Sequence, residues 1–247
     1  METHNSVYTF SSTRGTVVTI GTFDGVHKGH RKIIDRVLKS AKANGWESCV
    51  LTFFPHPRMV LQKDTSIKLI NTIEERAQLL ENIGLDHLVV HPFTMDFSRY
   101  HAETFVEEIL VNALNVKKVI IGYDHRFGRN RNADIDDLRR FGEQLGFEVE
   151  EISKQEVEDV AISSTKIRKA LDEGAIKRAN DFLGAPFSLK GKVVHGKSLG
   201  KTIGYPTANL HIDQNYKLIP AQGVYVVRAT LDCKRVYGMM NIGTNPT

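Results

Sequence analysis

Across residues 1–185, short runs of β-branched and aliphatic residues alternate with stretches whose apolar positions recur at helical spacing. This is the pattern of a parallel sheet covered by helices. Strands are expected over residues 17–20, 49–54, 87–91, 118–122 and 147–152. Helices are expected over 30–44, from about 72, over 101–114 and 134–145, with shorter ones over 166–172 and 175–183. In the first helix Ile33, Ile34, Val37, Leu38 and Ala41 share one face, and Asn44-Gly45 is a stop signal. Residues 118–122 are nearly all apolar, as a central strand should be. Two prolines, Pro55 and Pro57, are expected to prevent any helix directly after the second strand, and residues 93–98 read as a loop.

Near residues 184–187 the helical periodicity ends. Short β-rich runs punctuated by glycine and proline follow, at 191–194, 223–230 and 237–242, the grammar of a small antiparallel barrel. Two domains are therefore expected, 1–185 and 186–247.

Composition narrows the class. With 41% hydrophobic and 25% charged residues the chain can fill a core, and the net charge of +4 is spread rather than blocked, so nucleic acid is not implied. Cys49 and Cys233 offer neither metal spacing nor a disulfide framework, which fits a reducing cytoplasm. No apolar run approaches a membrane span, and no membrane partner is expected.

Candidate chemistry centres on Gly21-Thr-Phe-Asp-Gly-Val-His-Lys-Gly-His30, a glycine-bearing turn between the first strand and the first helix. The first turn of a helix has N–H groups with no intrahelical acceptor and is a natural anion seat. His27 and His30 straddle it, an arrangement suited to holding a polyphosphate while a phosphorus–oxygen bond breaks. A lone histidine there is usually only a cap; two, flanked by Gly21, Gly25 and Gly29, are more specific. A second candidate is Ala161-Ile-Ser-Ser-Thr-Lys-Ile-Arg168, where hydroxyls of Ser163, Ser164 and Thr165 and the Arg168 guanidinium can grip phosphates. A third, Gly122-Tyr-Asp-His-Arg-Phe-Gly-Arg-Asn-Arg131, follows the apolar fourth strand; ligands of open α/β sheets bind beyond such strand ends, where the strand order reverses. The first and fourth strands are the expected neighbours at that point. A fourth is Thr52-Phe-Phe-Pro-His-Pro57, an aromatic strand end on a stiff turn.

These stretches, in this order, resemble the bacterial bifunctional riboflavin kinase/FMN adenylyltransferases. The His-x-Gly-His element is similar to the signature of the wider nucleotidyltransferase superfamily. The resemblance implies a Rossmann-like nucleotidyltransferase domain followed by part of a riboflavin kinase barrel. It implies transfer of AMP from ATP to FMN, giving FAD and pyrophosphate, assisted by Mg²⁺. His27, His30 and Arg168 would act at the reacting phosphates, and Gly21, Thr22, Phe23, Asp24, Gly29, Ser163, Ser164 and Thr165 would bind ATP. The flavin would lie against Phe54, Pro55, His56, Pro57 and Phe93, with Asp124, Arg126 and Phe127 from the third stretch. The loop containing Phe93, Phe97 and Ser98 would close over it. His125 departs from the phenylalanine usual in the family, and residues 129–133 from a more glycine-rich tail.

In the second domain, residues 191–198 satisfy the P-loop pattern Gly-x-x-x-x-Gly-Lys-Ser. A P-loop must open a helix, and Leu-Gly-Lys-Thr-Ile-Gly-Tyr-Pro206 cannot form one of useful length. The region, through Pro206-Thr-Ala-Asn209, instead resembles the riboflavin kinase signature. Gly196, Gly200 and Lys201 would then cover the nucleotide, with lysine in place of the usual arginine, and Thr207 and Asn209 would hold Mg²⁺ and phosphates. Residues 241–247 resemble the next kinase segment, so an incomplete kinase domain, silent with riboflavin, is expected. The alternatives are another nucleotidyltransferase (pantetheine-phosphate, nicotinamide-mononucleotide or cytidylyl type) or a non-catalytic flavin-binding module. The sequence carries no signal of oligomeric state.

Overall fold

The structure is a computed structural model that describes residues 1–63, 66–123, 125–153, 162–196, 204 and 207–243. Backbone contacts divide the chain into two compact units, residues 1–67 with 73–163, and residues 68–72 with 164–247.

The first unit is built on six parallel strands in the order β1-β4-β3-β2-β5-β6. They are β1 (Glu2–His4), β2 (Thr16–Ile20), β3 (Glu47–Phe54), β4 (His87–Pro92), β5 (Val116–Gly122) and β6 (Glu148–Ile152). From β2 the chain adds β3 and β4 on one side, then returns to lay β5 and β6 on the other. The order reverses between β2 and β5, so the crevice for a ligand lies beyond their carboxyl ends.

Alternation of side chains along the strands splits the core in two. Val18, Ile20, Cys49, Leu51, Val119 and Ile121 face one way, against Phe105, Ile109, Leu110 and Leu138. Val17, Val50, Leu88 and Ile120 face the other, where Ile34, Val37 and Leu80 cover them. Every residue of β2 is buried, as a strand covered on both faces requires.

The covering helices are α1 (Lys28–Asn44), α3 (Ile73–Ile83), α4 (Ala102–Thr104), which runs on into a π-helical stretch Phe105–Ala113, and α5 (Ile135–Leu145). Gly45 ends α1 at φ 69°, the left-handed C-cap expected of Asn-Gly. Asp134 N-caps α5, its carboxylate accepting from the Asp136 and Asp137 N–H groups in a capping box.

Several elements differ from the sequence expectation. The short strand β1 had no periodicity to mark it. A short helix, α2 (Pro57–Leu61), begins where the prolines were expected to forbid one. Pro57 sits at its first position, where a missing N–H costs nothing, and His56 caps it by accepting from the Arg58 N–H at 3.2 Å. Residues 97–99 of the expected loop form a single 3-10 turn.

The second unit joins helices α6 (Ser164–Asp172) and α7 (Ile176–Leu183) to two antiparallel pairs. These are β7 (Lys192–Val194) with β8 (Asn209–His211), and β9 (Gly223–Leu231) with β10 (Lys234–Ile242). Asp232 and Cys233, at φ 46° and 63°, close the β9–β10 hairpin, the two positive-φ positions that match the strands' twist. Segment 68–72 belongs here because Leu69 exchanges backbone hydrogen bonds with Tyr216 and Leu218, each at 2.7 Å. Buried Lys217 also donates to the Ile70 carbonyl at 2.6 Å. The P-loop pattern fails structurally as well: β7 is a member of an antiparallel pair, not a parallel strand feeding a helix.

Candidate active site

Beyond β2 the chain makes a tight turn under strain. Phe23 and Val26 adopt φ 46° and 40°, a region costly for a β-branched residue and sustained only when the surroundings enforce it. The enforcement is visible. Asp24, wholly buried, lies 3.6 Å from the Arg76 guanidinium, itself 1% exposed. Arg76 donates to Thr52 Oγ1 at 3.2 Å, and that hydroxyl donates to the Thr22 carbonyl at 3.2 Å. Gly21 N–H donates to the Leu51 carbonyl at 3.1 Å. A β-carbon on Gly21 would come within 3.1 Å of the Phe23 ring. Asp24, a candidate ATP ligand by sequence, thus faces Arg76 inside the protein and holds the turn.

The turn delivers two imidazoles to the start of α1. His27 is its N-cap, and its Nδ1 accepts from the His30 N–H at 3.3 Å. With Nδ1 an acceptor, the neutral ring carries its proton on Nε2 and can donate there. The His27 and His30 rings stack with centroids 3.6 Å apart and 17° between planes, and Phe23 packs 5.0 Å from His30. Gly29 makes room: a β-carbon there would sit 3.3 Å from the His27 ring. The remaining N–H groups of this first turn have no intrahelical acceptor, so donors of two kinds converge at the carboxyl end of β2.

Beyond β5, the neighbouring strand at the reversal point, the third stretch is anchored rather than loose. Phe127 and Ala133 exchange backbone hydrogen bonds at 3.1 and 3.2 Å. A β-carbon on Gly128 would meet the Ala102 backbone at 3.0 Å. Phe127, a candidate flavin contact, is buried against Phe105 at 5.9 Å. Arg126 remains half-exposed, 3.9 Å from Asp134. Asp124 lies outside the described residues.

The aromatic wall forms on one face of β3, and the register decides who joins it. Phe53 shares the face of Leu51 and packs with Phe93 and Phe97 at 5.6 and 5.5 Å; Phe97 continues to His91 at 4.7 Å and Tyr100 at 5.3 Å. Phe54 turns to the opposite face, against the α1–α3 side. His56 is taken up as the α2 cap, with Pro55 and Pro57 on either side of it. Phe93, a candidate flavin contact, and Phe97, placed with it in the loop expected to close over the flavin, both join the wall; Phe53, His91 and Tyr100 were not among the candidate site residues. The Phe93-x-x-x-Phe97 spacing and a period-two reading of residues 49–53 were the available signals.

In the second unit Ser164 and Thr165 form the first turn of α6, with Ser163 just before it, and Arg168 lies one turn on. The Arg168 Nε donates to the Lys68 carbonyl at 3.0 Å, which fixes the direction of its guanidinium. A β-carbon at Gly196 would fall 2.3 Å from Asn209 Nδ2, so glycine there leaves the Asn209 amide its place on β8. Thr207 precedes that strand and is exposed. Gly200 and Lys201 lie outside the described residues.

The FAD synthetase family model matches residues 9–166, and the riboflavin kinase model residues 183–247. A bifunctional riboflavin kinase/FMN adenylyltransferase of Listeria monocytogenes is 39% identical over 232 residues, 94% of this chain and 73% of the relative. One from Escherichia coli K12 is 36% identical over 234 residues, 94% of this chain and 74% of the relative. A crystal structure described as a macrolide-efflux protein from Streptococcus pneumoniae superposes with a TM-score of 0.88 at 32% identity, covering 100% of this chain and 80% of that one. Among the described residues, no helix of this protein is long and apolar enough to cross a membrane.

Proposed function

This chain belongs to the bifunctional riboflavin kinase/FMN adenylyltransferase family, and on that premise we propose which of its residues carry each reaction. It is an enzyme of FAD biosynthesis. Residues 1–185 are assigned to adenylyl transfer and 186–247 to the kinase module.

In adenylyl transfer a phosphate oxygen of FMN attacks the α-phosphorus of ATP. The bond to the α–β bridging oxygen breaks, and its electron pair leaves with pyrophosphate; no covalent intermediate on the protein is needed. His27, through Nε2, and His30 donate to phosphate oxygens on which charge builds, beside the first-turn amides of α1. Stabilising that charge in place supplies most of the rate enhancement in such reactions. Ser163, Ser164, Thr165 and Arg168 hold the triphosphate. The flavin ring lies on the wall of Phe53, Phe93 and Phe97, next to the Pro55-His-Pro57 turn, with Arg126 on the phosphate side.

In the kinase module the terminal hydroxyl of riboflavin takes the γ-phosphoryl group of ATP, giving FMN and ADP. Gly196, Gly200 and Lys201 cover the nucleotide there. Enzymes of both kinds use a divalent cation with ATP, and Mg²⁺ fits the donors here: the Thr207 hydroxyl and Asn209 amide oxygen are the hard oxygen ligands it prefers. When bound it neutralises phosphate charge. We place the enzyme in the cytoplasm, where free Cys49 and Cys233 stay reduced.

The observation that carries the reading is the stacked His27–His30 pair capping α1 at the point where the strand order reverses. Incubation with FMN, ATP and Mg²⁺, followed by chromatography, tests it. FAD and pyrophosphate in equal amounts support the reading, whereas flavin binding without turnover, or turnover only with pantetheine phosphate or nicotinamide mononucleotide, overturns it.

A further inference from the structure

At the amino-terminal edge of the parallel sheet, opposite the edge that carries His27 and His30, three potential ligands converge. Alternation along β1 puts Glu2 and His4 on one face. The parallel register pairs Glu2 with His87 at the start of β4, bringing a second imidazole to the same face. His4 Nε2 lies 3.3 Å from His87 Nδ1, and Glu2 Oε2 lies 3.8 Å from each.

Two readings fit such a pair of nitrogens. One is a single shared proton. The other is a metal: a tetrahedral ion with imidazole nitrogens at about 2.0–2.1 Å spans about 3.3 Å between them. The surroundings favour the second. The other nitrogen of His87, Nε2, makes no hydrogen bond among the described residues, but Glu47 Oε2 lies 3.4 Å away, where a small ring rotation makes it the outer carboxylate that orients a metal-bound histidine. Glu47 is itself held by the Ser12 hydroxyl at 2.5 Å and by the Arg14 guanidinium. Phe10 packs edge-on to both imidazoles, each at 5.1 Å, and fixes their planes. His87 is buried, His4 half-buried and Glu2 exposed, so the fourth position opens to solvent.

The geometry points to a divalent transition-metal site of Glu2, His4 and His87, with zinc the best-suited ion, that fastens the first strand to β4. Two imidazoles and one carboxylate form a set that zinc takes with its fourth position open, and the 3.3 Å nitrogen separation suits its tetrahedral geometry. Adenylyl transfer does not use the site, which lies at the far edge of the sheet.

The test is cobalt and zinc titration of the chelator-treated protein. One equivalent of Co²⁺ should give the intense visible bands of a tetrahedral site, displaced by Zn²⁺. His4→Gln should abolish them with the circular dichroism unchanged, and Glu47→Gln should weaken affinity by about 10–100-fold. His30→Gln should leave them intact, because that ring belongs to the other edge. Absence of uptake at micromolar cobalt, or uptake that survives H4Q, would overturn the site. Should His87→Gln fail to fold, H4Q alone decides. Zinc should also raise the melting temperature of the wild type and not of H4Q; an equal rise in both counts against the proposal.

Discussion

The Asp24–Arg76 pair makes the sharpest energetic prediction. Both side chains are at most 1% exposed, and between them they hold the strained Phe23–Val26 turn that presents His27. Replacing Arg76 by leucine leaves the Asp24 carboxylate buried without its guanidinium. Breaking a buried pair from one side costs about 3–5 kcal/mol, because the remaining charge stays buried after losing its guanidinium. At about 2–4 °C per kcal/mol for a chain of this size, the melting temperature falls by about 6–20 °C. Asp24→Asn in the R76L background removes that charge and should restore part of the loss, since buried pairs replaced on both sides are often near neutral. FAD synthesis should drop in R76L beyond what unfolding explains, because Val26 at φ 40° relaxes once its anchor is gone. The assays are urea or thermal unfolding of the four members of the cycle, with FAD formation measured well below each melting point. A loss under about 1 kcal/mol in R76L, or a double variant no more stable than R76L, would refute the claim that this pair sustains the turn.

Gly29→Ala should keep stability near wild type but lower kcat for FAD formation, since its β-carbon meets the His27 ring at 3.3 Å; an unchanged kcat removes Gly29 from the site. Phe93→Ala should raise the FMN KM by about 2–10-fold, the worth of one aromatic stacking contact, with kcat little altered, whereas Phe54→Ala, on the other face of β3, should cost stability instead. Glu150 is held below the usual carboxylate range: burial pushes its carboxyl up, but hydrogen bonds from Lys118 and Arg36 outweigh that and lower it. Its contribution is therefore complete above the ordinary value of 4.5 and lost as pH falls through the lower folded value. Glu150→Gln should accordingly lower the melting temperature at pH 7 and flatten its decline in acid, as differential scanning across that range would show.

What could be read from the chain follows from how local each feature is. The β2–turn–α1 element announced itself because its glycines, cap and histidines fall within ten positions, and the β9–β10 pair because its strands alternate between glycines. The partnership of Asp24 with Arg76 was invisible, since it joins a turn to a helix far along the chain. The same holds for His4 with His87, which meet only because β1 pairs with β4. Which of Phe53 and Phe54 joins the aromatic wall was illegible for a different reason: in a continuous apolar run the two faces of a strand look alike, and only the register separates them. Pro57 was read as a breaker when its neighbour His56 made it a starter.

The central claim is that the capped, stacked histidines stabilise the transition state of adenylyl transfer rather than merely anchor ATP. The direct measurement is single-turnover formation of FAD by His30→Ala beside the dissociation constant of ATP for the same variant. A fall of about 10²-fold in rate with ATP affinity nearly unchanged is the result predicted; equal losses in both, or a wild-type rate, would contradict it.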